Sequence, residues 1–369
     1  MTAVSVDAVA FYEVARDRLA RFSIAFSRSP LRNGWLFRHQ VETAARLATI
    51  DGRPAEKIEL HAALSGAPFF KQRKDFGGRS LAFRNYEFLR SLQRIQAKED
   101  LEVPAERASV GRFETDIRNV AAGLVGNGLC CLSSIASRVF AARNAVPLTD
   151  LRFGLMLALQ VSGLTPCPAA VVGMRKLAFE DDTFSTWQEV WLTEVIAEAD
   201  RASRDIASLE RSWLQDLRRL PRSRKTSRIE HAFSLFCSSG VITPALLAQA
   251  LGSSVRAASD FLSVFESLGM AKEISHRKAR KIFAYRDLVE VGGVTRSAMS
   301  FPSIEDVLGF RTPIDSLAED DAIVGVGSFS AYADKIVRAE EPSLESARTW
   351  DSFLHEIDLV IARSSASSE

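Results

Sequence analysis

The chain has 369 residues, of which 47% are hydrophobic and 25% are charged, proportions that are ordinary for a globular protein with a sizeable core. Its cysteines, Cys130, Cys131, Cys167 and Cys237, lack the paired spacing of a zinc site and fit a reducing compartment in which thiols stay free. The net charge is +1. We therefore expect a cytoplasmic protein without a metal ion or other cofactor, divided into roughly two to three domains.

The near-neutral total conceals an uneven distribution of charge along the chain. Residues 211–299 contain 15 Lys and Arg against 7 Asp and Glu, whereas residues 300–369 contain 5 against 14. The first segment is therefore basic by +8, and the second is acidic by −9. Such asymmetry is typical of a module that binds a polyanion followed by a segment that repels one.

Apolar residues three to four positions apart predict amphipathic helices along most of the first 220 residues. One helix covers residues 7–26, and a second covers residues 36–50 and stops at residues 51–54, with the sequence DGRP. A third covers residues 84–96, and a long one covers residues 186–220. The N-terminal part of the chain is therefore predicted to be all α.

Two uncharged runs, residues 119–137 and residues 153–174, are long enough to span a bilayer. Glycine, serine, glutamine and proline interrupt these runs, and no dense group of Lys and Arg follows either of them. The N-terminus also lacks the basic and apolar regions of a signal peptide. We interpret both runs as buried core helices and expect no association with a membrane.

The helical pattern breaks at residues 220–228, LPRSRKTSR, which combine a proline, serines and clustered basic side chains. We interpret this segment as a hinge between two domains. The predicted division is a helical domain at residues 1–220, a second domain at residues 221–290 and an acidic C-terminal segment at residues 291–369.

Three short helices are predicted after the hinge. The first begins at Ile229 and is closed by Gly240. Thr243 is a good N-cap for the second helix, with Pro244 in its first turn. Gly252 then supplies a tight turn, because glycine tolerates a positive φ angle.

The third helix is capped by Ser253 or Ser254 and ends at Gly269. Ala248 precedes Gly252 by four residues, a spacing typical of a helix-turn-helix, because the small alanine lets the two helices cross closely. The apolar face predicted for the third helix consists of Val255, Ala258, Phe261, Leu262, Phe265 and Leu268.

Two short apolar strands, at residues 270–274 and 282–285, flank a basic loop, which is the pattern of a wing. The fold class is therefore predicted to be mainly α, with a helical N-terminal domain followed by a winged helix-turn-helix. Its third helix is expected to enter the major groove of double-stranded DNA by its N-terminal end. The predicted DNA contacts come from that helix, the wing and the hinge: Ser253, Ser254, Arg256, Ser259, His276, Arg277, Lys278, Arg280, Lys281, Arg224 and Lys225. A winged helix that binds a protein instead is the open alternative.

The stretch TPALLAQALGSSVRAASDFLSVFESLGMAKEISHRKARKIFAYRDLV resembles the C-terminal winged helix of many bacterial Fic-domain proteins. Residues 30–290 are similar to an uncharacterised alphaproteobacterial family, common on rhizobial plasmids, in which a helical domain of unknown function precedes this helix-turn-helix. The resemblance implies a DNA-binding unit joined to a degenerate Fic-like scaffold.

The Fic active site uses a His-Pro-Phe-x-acid-Gly-Asn-Gly-Arg loop, in which the His is the general base and the glycine-rich turn holds phosphates. Residues 126–128, GNG, match the centre of this loop, but Ala121 occupies the position of the His. A second register matches Pro147 and Asp150, places Val146 at the His and leaves Arg152 out of register. Because neither register retains the base, the scaffold is expected to be catalytically silent.

Other chemistry is sparse. His39, His61 and His231 stand alone, and the sequence has neither a nucleophile elbow nor a phosphate-binding P-loop. The resulting hypothesis is a transcriptional regulator whose N-terminal domain forms a homodimer or senses an unknown effector. A Fic-like nucleotide-transferring enzyme with a rearranged site and a plasmid-maintenance DNA-binding protein remain as alternatives.

Overall fold

The computed structural model describes residues 6–65, 78–97, 108–126, 131–167, 177, 183–221, 228–275, 281–290 and 355. Within these residues the protein is mainly α, as predicted, with twelve helices and one sheet of three short strands. The central part of the predicted hinge, residues 222–227, and the acidic segment apart from His355 lie outside the described residues.

The helices before the predicted hinge are called the body here: α1 (Val6–Arg28), α2 (Arg32–Ile50), α3 (Lys57–Leu64), α4 (Gly78–Ala97), α5 (Ala108–Val125), α6 (Leu132–Ala142), α7 (Leu148–Val161) and α8 (Phe184–Leu217). The elements after it are called the C-terminal unit: α9 (Ile229–Ser239), β1 (Val241–Ile242), α10 (Pro244–Leu251), α11 (Val255–Ser267), β2 (Ala271–Glu273), β3 (Phe283–Tyr285) and α12 (Arg286–Glu290).

The core of the body forms where the sequence periodicity predicts it. The apolar stripe of α1 is buried, with Phe11, Leu19 and Phe22 all at most 3% exposed. On α8, Trp187 and Trp191 are fully buried and stack with ring centroids 5.3 Å apart. These buried aromatic side chains contribute on the order of 2 kcal/mol each by removal of apolar surface from water.

The two uncharged runs are interrupted in the structure. The first run contains the end of α5 and a turn at Gly126, whose φ of +69° suits glycine, before α6 begins at Leu132. In the second run, α7 ends at Val161. Of the helices described, none combines the length and the apolar character needed to cross a membrane.

In the C-terminal unit, the strand order is β1-β3-β2 and both pairings are antiparallel, with Val241 opposite Ala284 and Lys272 opposite Ala284. The predicted strands β2 and β3 are confirmed. Strand β1 was not predicted, because a two-residue strand has no periodicity to detect.

Both faces of this small sheet are buried. Tyr285 packs against Phe233 and Phe236 of α9, and Phe236 stacks on Phe265 of α11 with centroids 5.8 Å apart. On the opposite face, Ala284 clusters with Ala62 of α3 and with α12, so the body covers the side of the sheet that α9 and α11 leave open.

The body also covers the free edge of β1. The Ser65 hydroxyl at the end of α3 donates to the Val241 carbonyl at 2.8 Å. Gly34 of α2 lies so close to Ser238 of α9 that an added Cβ would be 2.3 Å from the Ser238 Cβ. The body and the C-terminal unit therefore share one continuous packed interior in the described residues.

Candidate nucleic-acid interface

The turn between α10 and α11 has the local chemistry that the sequence predicts. Thr243 caps α10 by accepting a hydrogen bond from the Leu246 N–H at 3.2 Å, and Pro244 occupies the first turn. Gly252 ends α10 in the left-handed conformation, with φ +58° and ψ +41°. Ser254 caps α11 by accepting from the Ala257 N–H at 3.2 Å. Each cap satisfies a backbone donor that the helix itself leaves unbonded.

The residues predicted to contact DNA at this turn differ in their exposure and in their hydrogen bonds. The Ser253 hydroxyl is buried without a hydrogen-bond partner among the described residues, and the Ser254 oxygen is engaged in its own helix. Ser259 is half-buried. Arg256 is exposed in the first turn of α11, and no described residue bonds its guanidinium.

The face of α11 that packs into the core is narrower than the sequence pattern indicates. Ala258, Leu262 and Phe265 are fully buried, and Phe261 and Leu268 pack against the core with part of their surface exposed. Val255 was predicted to lie on this apolar face, and that prediction is wrong, because its side chain is 55% exposed. Val255 lies one turn before Ala258, which is the first buried residue of α11.

Of the predicted wing, the structure describes the residues at its base, Ser275 and Lys281. The Lys281 ammonium forms an ion pair with Glu273 at 3.0 Å, and the Ser275 hydroxyl donates to the same carboxylate at 2.8 Å. Of the other predicted contacts, His276, Arg277, Lys278 and Arg280 of the wing and Arg224 and Lys225 of the hinge lie outside the described residues. Lys281 is therefore partly neutralised by a neighbour, a feature that the sequence pattern did not reveal.

Basic side chains on either side of residues 222–227 contact the ends of α10 and α11. Arg219 donates to the Leu268 carbonyl at the end of α11, and Arg228 donates to the Leu251 carbonyl at the end of α10. Both carbonyls belong to helix C-termini, where cations are favoured. The hinge thus re-enters the described structure beside the turn that leads into α11.

A buried carboxylate anchors the C-terminal unit to α8. Asp216 is fully buried, accepts hydrogen bonds from the Tyr285 hydroxyl at 2.7 Å and from Arg219 at 3.3 Å, and forms an ion pair with Arg286 at 3.1 Å. Burial raises the pKa of the Tyr285 hydroxyl, and the neighbouring Cys237 and Asp216 raise it further. The phenol therefore stays protonated and acts as a donor at every physiological pH.

A second anchor joins α2 to the sheet and α12. Arg38 donates to Asp287 at 2.6 Å and to the Cys237 carbonyl at 3.2 Å, and its guanidinium lies 6.0 Å from the centre of the Tyr285 ring. Burial lowers the pKa of Arg38, but the Asp287 carboxylate, Cys237 and Tyr285 together raise it above its ordinary value, so the side chain stays charged. Sequence analysis missed this pair because its members are 249 positions apart.

The described positions that match the Fic loop lie in or beside helices of the body. Ala121 is buried in α5, and Gly126 ends that helix, whereas Asn127 and Gly128 lie outside the described residues. In the second register, Val146 precedes α7. Arg152 is buried and forms an ion pair with Asp51 at 2.8 Å, which ties α7 to the end of α2. Neither base position carries a titratable side chain.

A belt of charged side chains between α2 and α8 is internally paired. Arg46 donates two hydrogen bonds to the Glu198 carboxylate, and Arg201 donates to the same carboxylate at 2.7 Å. Beside it, His39 stacks on Trp35 with ring centroids 4.5 Å apart, and burial, assisted by Arg201, lowers the pKa of His39 to about 4. No group of three His, Cys, Asp or Glu side chains in the described part of the chain is placed to hold a metal ion.

No protein-family model matches this chain, and no curated protein matches its sequence.

Proposed function

We propose that residues 229–290 form a winged helix-turn-helix that binds double-stranded DNA, and that the protein is a cytoplasmic DNA-binding regulator. The element order of helix, strand, two helices and two strands supports this assignment, as does the left-handed Gly252 between two capped helices. The observation that carries the proposal is Arg256, which stands exposed in the first turn of α11 while the opposite face of that helix is core.

In this proposal α11 enters the major groove by its N-terminal end, where the helix dipole favours the negative charge of phosphates. Arg256 is the side chain able to donate two hydrogen bonds to a guanine edge. The wing residues Arg277, Lys278 and Arg280 contact phosphates and supply affinity that does not depend on sequence. Lys281, which is paired with Glu273, contributes less.

The body has a positioning role. Because Arg38 and Gly34 of α2 fix the C-terminal unit, the direction of α11 follows the orientation of the body. A homodimer formed through the body would therefore set the spacing of two DNA half-sites. An effector that binds the body would act through the same contacts. We propose no catalytic activity, because Ala121 or Val146 stands where a Fic enzyme has its base.

One observation favours a second candidate, a winged helix that binds a protein. The charged residues of α11 are Arg256, Asp260 and Glu266, so the helix itself carries a net charge of −1. Asp260 and Glu266 are both exposed. Phosphates would repel these carboxylates unless Asp260 accepts from a cytosine amino group.

Selection of DNA by the intact protein separates the two candidates. Duplexes with a random central region are bound, recovered and sequenced with wild-type protein and with Arg256→Ala. We expect wild type to select a preferred site, and Arg256→Ala to lose about 1–3 kcal/mol of discrimination at one guanine while retaining non-specific affinity.

Arg53→Ala provides the matched control, because Arg53 is an exposed arginine in the loop after α2. This variant should select the same site as wild type. Failure of wild type to bind any duplex at low salt would refute DNA binding and favour the protein-binding candidate.

A further inference from the structure

Val255 is the first residue of α11 and is 55% exposed. The other large hydrophobic side chains of the described chain with comparable exposure, Val9, Ile24, Val161 and Val190, all belong to the body. An isolated exposed valine is common on protein surfaces and implies nothing alone. Its position matters here, because it lies between the Ser254 cap and the exposed Arg256.

The local structure fixes where this side chain points. Ser254 holds the first turn of α11 through its bond to the Ala257 N–H, and the buried Ala258 fixes the rotation of the helix against the core. The β-branched valine has few rotamers, so little side-chain entropy is lost when it contacts a partner. Val255 lies on the same side of the helix as Ala258 but one turn earlier, which leaves a stiff and largely exposed apolar group at the N-terminal end of α11.

We infer that Val255 contacts the C5 methyl group of a thymine in the major groove, next to the base pair that Arg256 contacts. This inference rests on the proposed DNA binding and adds the kind of base that is recognised. The thymine methyl is the apolar group that a base pair presents in the major groove, whereas the remaining features are hydrogen-bond donors and acceptors. Val255 has no hydrogen-bonding group, so it matches that methyl and disfavours a cytosine at the same position.

The test removes the methyl group without changing any hydrogen bond. Each thymine of the duplex selected by the intact wild-type protein is replaced in turn by deoxyuridine, and affinities are measured by fluorescence anisotropy. We expect one replacement to weaken binding by wild type about fourfold, the effect of exposing one buried methyl group to water. The same replacement should change binding by Val255→Ala by less than about twofold, because the partner of the methyl is already absent.

Two further variants make the result decisive. Val161→Ala removes the same groups from a valine that is 68% exposed on the body, and it should keep the full response to deoxyuridine. Val255→Thr keeps one of the two methyl groups of the side chain and should retain part of the response. Thermal unfolding of each variant should stay close to that of wild type, because both valines are more than half exposed.

The outcomes distinguish this inference from the proposed function. If wild type selects a site but no deoxyuridine replacement weakens binding, or if Val255→Ala retains the full effect, the thymine contact is refuted and DNA binding stands. If wild type selects no duplex at all, the proposed function fails and the inference fails with it.

Discussion

Charged side chains occur at two places on the C-terminal unit, at its contact with the body and on the first turns of α11. They are buried or partly buried and bonded at the first place and exposed at the second. Where the body meets the C-terminal unit, Arg38 and Asp216 of the body and Asp287 of the unit are buried or partly buried. Arg38 bonds to Asp287, and Asp216 bonds to its own partners, at 2.6–3.3 Å. On the first turns of α11, Arg256 and Asp260 are exposed. The comparison separates charges that hold the fold together from charges that are available to a partner.

The reason for the difference is the cost of desolvation. A carboxylate as deeply buried as Asp216 is tolerated when several donors replace its lost water. Removing the carboxylate leaves those donors without a partner. An exposed charge such as Arg256 costs little to keep and contributes little to folding. Mutations on the two surfaces should therefore separate cleanly into effects on stability and effects on binding.

The largest expected effect is on the buried surface. Replacing Asp216 with Ala leaves the Tyr285 hydroxyl and Arg286 without their acceptor, and we expect the free energy of unfolding to fall by about 3–5 kcal/mol. Urea denaturation followed by circular dichroism measures this change.

Asp260→Ala is the matched control for that experiment, because it removes an exposed aspartate, which lies on α11. Its effect on the unfolding free energy should stay within about 0.5 kcal/mol. A loss below about 1 kcal/mol for Asp216→Ala would show that this carboxylate does not anchor the unit.

A smaller effect is expected at the crossing of α2 and α9. The Cβ of Gly34→Ala would lie 2.8 Å from the Ser238 Cα, which is backbone and must shift. Overpacking of this kind destabilises by about 1–3 kcal/mol. Gly123→Ala in α5 is the control, because its added Cβ would have no other atom of the described residues within 4 Å.

Both substitutions gain the same helix propensity, so the difference between their unfolding free energies reports the close contact alone. Gly123→Ala should be stabilising by about 0.5–1 kcal/mol. If Gly34→Ala proved equally stabilising, the close contact between the body and the C-terminal unit would be wrong.

The sequence could predict features that depend on residues close together along the chain. The caps at Thr243 and Ser254 and the turn at Gly252 depend on residues within a few positions. Thr243 and Gly252 were predicted, and Ser254 was one of two candidate caps. Val255 was misplaced because its spacing from Ala258 fits a helical stripe, whereas the neighbouring elements cover α11 only from Ala258 onwards. A periodic pattern gives the direction of a side chain but not how far the covering surface extends.

The contacts between the body and the C-terminal unit were beyond sequence analysis for a different reason. Arg38 and Asp287 are separated by 249 positions, and Tyr285 and Asp216 by 69. One sequence contains many arginines and aspartates, and nothing local indicates which of them meet. The predicted boundary at residue 220 therefore gave no indication that α2 and α3 pack on the sheet.

The central claim is that the C-terminal unit binds the phosphate backbone of DNA, and the salt dependence of binding tests it most directly. Affinity for a non-specific duplex is measured from low to moderate salt for wild type and for the triple variant Arg277→Ala, Lys278→Ala, Arg280→Ala. Each lost phosphate contact should reduce the slope of log affinity against log salt by about one, so we expect a reduction of about three. An unchanged slope, with wild type and variant equally folded, would contradict the account.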